Sequence, residues 1–61
     1  MSATYFIERA DTCRRLAHEE PDASMRDVLY HLENDYRLKA RHARRHEQMT
    51  QTLAAAQQQH A

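Results

Sequence analysis

His18-Glu19-Glu20-Pro21-Asp22-Ala23-Ser24-Met25 is the stretch that decides the fold of this chain. Proline disfavours α conformation in the residue before it and has no amide proton to donate, so a helix arriving at Glu19 has to stop there. Asp22 directly afterwards is a good N-cap for a second helix, with Ser24-Met25-Arg26-Asp27 as a competing start. A connection of three or four residues forces the two helices to lie back on one another as antiparallel neighbours.

Upstream of the corner, Phe6, Ala10, Cys13, Leu16 and Ala17 recur at the spacing that places them on one helical face. Ser2 or Thr4 can cap this helix, which is expected over about 3–19. Asp11 can reach Arg14 and Arg15 on the solvent side, and Arg15 can reach Glu19. Downstream, Met25, Val28, Leu29, Leu32 and Tyr36 form a second apolar stripe. Nothing after Tyr36 breaks a helix, because the chain has no glycine and no second proline. The second helix is therefore expected over about 23–55, roughly 50 Å long against roughly 25 Å for the first, so that half of it lacks an intrachain partner. The Ala- and Gln-rich end, 58–61, is expected to fray. In heptads the seam continues weakly to Met49 and Leu53 after a polar middle. The expected fold is all-α: an antiparallel two-helix hairpin over 1–57 with turn 20–22, assembling as a dimeric four-helix bundle.

The run from Phe6 to Ala17 reads aromatic-x-x-x-Ala-x-x-Cys-x-x-Leu-Ala, and Asp22, Met25, Arg26, Leu29, Leu32 and Tyr36 follow it. In this it resembles a group of short bacterial helical-hairpin proteins of unknown function, over about residues 5–39. The resemblance implies a helical hairpin and carries no catalytic residues to transfer. The His- and Arg-rich segment from Arg41 onward lies outside it.

Absence of glycine removes the tight turns and phosphate-cradling loops from which many cofactor sites are built, so no cofactor is expected. A chain of 61 residues makes at most one small domain and buries little apolar surface by itself, which points to self-association. Cys13 is the lone cysteine. On the apolar stripe, with His18 pointing about 140° away round the helix, it reads as packing and not as a nucleophile. Without a disulfide partner, a signal-like start or a long apolar run, the chain is expected to be a soluble cytoplasmic protein without a membrane role.

Net charge is zero, with eight acids and four bases in residues 1–36 and five bases and one acid in 37–61. That split favours antiparallel self-association or an acidic partner for the second half. Arg26, Tyr30, Arg37, Arg41 and Arg44 share one side of the second helix, opposite the apolar stripe, and make a candidate nucleic-acid face; Glu33 and Asp35, each four residues before Arg37 and Lys39, can neutralise part of it. His42 and His46, one turn apart, have the spacing of a helical metal pair, although Ala43 breaks the zinc-protease pattern. No carboxylate pair is poised for acid–base work. The function expected is a non-enzymatic interaction or regulatory one, with a homodimer or another protein as partner, ahead of nucleic-acid binding and of a metal or pH response.

Overall fold

A computed structural model describes residues 2–59 and shows two helices and no strands among them. Helix α1 spans Ala3–Glu19 and helix α2 spans Ala23–Gln59. The Ser2 side chain accepts a hydrogen bond from the Tyr5 amide at 3.3 Å, closing the start of α1. At its other end Glu20 is extended (φ −81°, ψ 120°), as the residue before a proline should be, and its amide still reaches the Ala17 carbonyl. Asp22 caps α2: its carboxylate accepts from the Ser24 amide at 3.2 Å and its carbonyl from the Arg26 amide at 2.9 Å. Helix α2 runs through 58 and 59, where fraying was expected; the rest of that tail, 60–61, lies outside the described residues.

The helices pack antiparallel in a fixed register, with Ala3 opposite Glu47, Asp11 opposite Arg37 and His18 against Tyr30. The contact is unusually lean. Ala3, Ala10, Cys13 and Ala17 are the buried residues of α1, Ala40 is buried on α2, and no large side chain is fully enclosed among the described residues. Ala3, Ala10 and Ala17 repeat every seven residues with Cys13 between, so α1 presents a flat strip of small side chains that lets the second backbone come close. Phe6, Leu29 and Tyr36, all half-buried, close the margins, with the Phe6 and Tyr36 rings stacked at 6.4 Å.

The seam on α2 is not the stripe that the aliphatic residues mark. Leu29, Glu33, Tyr36, Ala40, Ala43 and Glu47 face α1, whereas Met25, Val28, Leu32, Met49 and Leu53 are exposed, as is Leu16 on α1. Leu16 and Leu32 are therefore not the centre of an intrachain core. Close approach to an alanine strip leaves no volume for two rows of leucines, and the tighter pairing wins. Helix α1 reaches as far as Glu47, so the overhang of α2 is residues 48–59, about 18 Å and shorter than half the helix. The whole is a rod with Cα extents of 59 × 13 × 11 Å.

Candidate interaction surface

Two ion pairs lock one edge of the hairpin. The Arg37 guanidinium donates from Nη2 and Nε to Glu33 Oε2 at 2.7 and 2.9 Å, and from Nη2 to Asp11 Oδ1 at 3.0 Å across the seam. Glu33 is buried and its carboxylate is satisfied by this fork, which offsets the cost of removing it from water. The hydrogen bonds that Arg37 donates, to Glu33 first and to Asp11 second, hold the guanidinium above its ordinary pKa. A raised pKa on a cation gives stability that is complete below the unfolded value and lost only above it. Arg37 therefore stays charged throughout the physiological range.

This pairing dismantles much of the arginine face. Arg37 is committed to two carboxylates, and Arg26 and Tyr30 are half-buried beside α1, so the face flanks the intrachain seam and does not lie opposite it. Arg41 and Arg44 remain exposed. A shallow depression of about 260 Å³ lies between Asn34, Arg37, Leu38 and Arg41. Asp11 turns to Arg37 and not to Arg14 or Arg15, and the Lys39 ammonium lies over the Tyr36 ring, 5.6 Å from its centre, and not beside Asp35.

His42 and His46 are both exposed, and no group of three or more His, Cys, Asp or Glu residues close enough to hold a metal ion occurs among the described residues. Cys13 is buried as a free thiol in the alanine strip. No described helix is long and apolar enough to cross a membrane.

What stands out on the surface is aliphatic. Leu16, Met25, Val28 and Leu32 cluster toward the turn end of the rod, and Met49 and Leu53 follow on the overhang, with exposures from 41% at Leu32 to 64% at Met49. On α2, Met25, Val28 and Leu32 stand three and four residues apart and Met49 and Leu53 four apart, two apolar groups separated by the polar Asp35, Lys39, His42 and His46. Single exposed aliphatics are ordinary; a cluster of them on one side of a rod is the more informative observation.

Glu33, Ala40, Ala43 and Glu47 were missed as seam residues by reading the sequence. Their signal was present, because Leu29, Glu33, Tyr36, Ala40, Ala43 and Glu47 also keep the three-four spacing and complement the small residues of α1. No family model matches this chain, and neither the curated proteins nor the solved structures contain a significant match to it.

Proposed function

We propose that this protein is a non-enzymatic helical interaction module that works as a homodimer, its apolar helix faces closing a four-helix bundle. One observation carries this: the chain closes its own seam largely with alanines and, apart from the half-buried Leu29, leaves its leucines, Val28, Met25 and Met49 outside. A monomer so arranged has spent little of its apolar surface on its own stability, and association is the remaining source. The resemblance to short bacterial helical-hairpin proteins bears on the fold alone, and a buried free cysteine accords with a reducing cytoplasm.

Sedimentation equilibrium at micromolar concentration tests it. The expected result is a species of twice 7.2 kDa, with a melting temperature that rises with protein concentration. A folded monomer whose melting is independent of concentration would overturn the proposal.

Nucleic-acid binding has weaker support, since Arg41 and Arg44 are its main exposed contributors once Arg37 is ion-paired. Titration with duplex DNA and with RNA at low salt decides it. Affinity that falls steeply with salt, and is lost in an Arg41→Glu, Arg44→Glu double variant, would restore that role. Stoichiometric zinc retained through purification would likewise restore the metal reading of His42 and His46.

A further inference from the structure

Helix α2 carries two parallel seams, and only one is used within the chain. The inner seam includes Leu29, Glu33, Tyr36, Ala40 and Ala43; the outer one includes Val28, Leu32, Asp35, Lys39 and His42. Each outer residue directly precedes an inner one, which sets the seams about 100° apart round the helix. In a four-helix bundle every helix has two adjacent neighbours at about a right angle. Helix α1 is the first of them, and the outer seam faces where the second would stand.

Building on the self-association proposed above, we infer that the second neighbour is α2 of another copy, antiparallel and with Lys39 on the two-fold axis. In that register Met25 stands level with the partner's Leu53, and Val28 within one residue of the level of the partner's Met49, so the apolar ends cover one another. Asp35 stands within one residue of the level of the partner's His42, a carboxylate near a ring that can donate a hydrogen bond to it. Parallel pairing in register would instead set Asp35 against Asp35 and Lys39 against Lys39, which is repulsive at both levels. On the axis itself the antiparallel arrangement also brings two Lys39 residues together, but each ammonium already leans back over its own Tyr36 ring.

Three further features agree with this occupant. The overhang of α2 passes over the partner's turn end, where Met25 and Val28 are exposed, so one arrangement covers both open regions of the rod. It also lays the basic half of each chain, five bases to one acid, along the acidic half of the other, four bases to eight acids. Last, the single chain exposes 5133 Å². A compact protein of its mass is expected to expose about 4,100 Å². The excess of about 1,000 Å² matches the roughly 800 Å² that each partner buries in an ordinary stable interface.

Cysteine cross-linking in a Cys13→Ala background, where alanine suits the alanine strip, tests the register. Met25, Lys39 and Leu53 are exposed in the single chain, and far-ultraviolet circular dichroism verifies that each variant, the Cys13→Ala background included, is helical. Lys39→Cys alone is expected to form a disulfide-linked dimer rapidly under mild oxidation. Met25→Cys alone is expected not to, because its two copies stand about 42 Å apart. An equal mixture of Met25→Cys and Leu53→Cys chains is expected to link. Self-linking of Met25→Cys as fast as Lys39→Cys, or a Lys39→Cys chain that sediments as a dimer yet stays reduced, would overturn the register while leaving self-association standing. A chain that sediments only as a monomer removes both. For the unaltered chain, the dimer dissociation constant is expected to rise with ionic strength; like-on-like contacts would make it fall, and that result overturns the register without any substitution.

Discussion

Ala10 and Ala17 have no accessible surface, and this decides which substitutions the hairpin tolerates. Ala10→Leu forces a side chain into a gap the size of a methyl group and is expected to cost about 1–3 kcal/mol, read as a lower urea midpoint. Leu32→Ala removes as many carbons as Ala10→Leu adds, but from an exposed position, and is expected to change the single chain's stability by no more than about 0.5 kcal/mol. The order reverses for association, where Leu32→Ala should raise the dimer dissociation constant. Arg37 behaves differently again. Arg37→Ala strands the buried Glu33 carboxylate without its fork, so it should lower the melting temperature more than Arg41→Ala, whose side chain is exposed and outside both ion pairs. Replacing Glu33 as well, in a Glu33→Gln, Arg37→Ala double variant, should recover part of that loss, because the uncompensated charge is gone.

At the scale of the helices, the corner is held by local chemistry and the far end by one long-range contact. Asp22→Ala removes the acceptor for the Ser24 amide and is expected to cost about 1 kcal/mol in thermal or urea unfolding, as is usual for a lost N-cap. Glu47 serves α1 in the same way across the hairpin, its Oε1 accepting from the Ala3 amide at 3.0 Å, so Glu47→Ala should destabilise while Gln48→Ala should not. The two-helix class was legible in the sequence because Pro21, Asp22 and the absence of glycine act locally. The facing of α2 was not legible. Its inner and outer seams share the same three-four spacing, and period alone does not say which of two neighbouring stripes meets the other helix. Aliphatic content favoured the outer one; what decided the matter was the small size of Ala3, Ala10, Cys13 and Ala17, a property of the other helix. The place of the arginine face, beside the seam and not opposite it, was hidden for the same reason, since turning α2 to its inner seam brought Arg37 within reach of Asp11. The exposed aliphatic residues were visible one by one in the sequence, but their exposure was not.

At the scale of the molecule, the rod has a Cα radius of gyration of 16.7 Å. A compact domain of equal length would have about 10.5 Å. If two rods lie side by side and antiparallel, mass doubles while length scarcely changes, so small-angle scattering across a dilution series should show forward intensity per unit concentration doubling while the radius of gyration grows only slightly. The short connection at residues 20–22 has one more consequence. Contacts nearest the turn close the smallest loops, whereas the Glu47 to Ala3 contact closes the largest, so the hairpin is built like a zipper whose slider starts at Pro21. Opening runs the other way. Amide hydrogens along α1 should therefore exchange with solvent on a gradient, fastest near Ala3 and slowest toward Ala17, and Glu47→Ala should steepen that gradient at its fast end while leaving the protection beside the turn untouched.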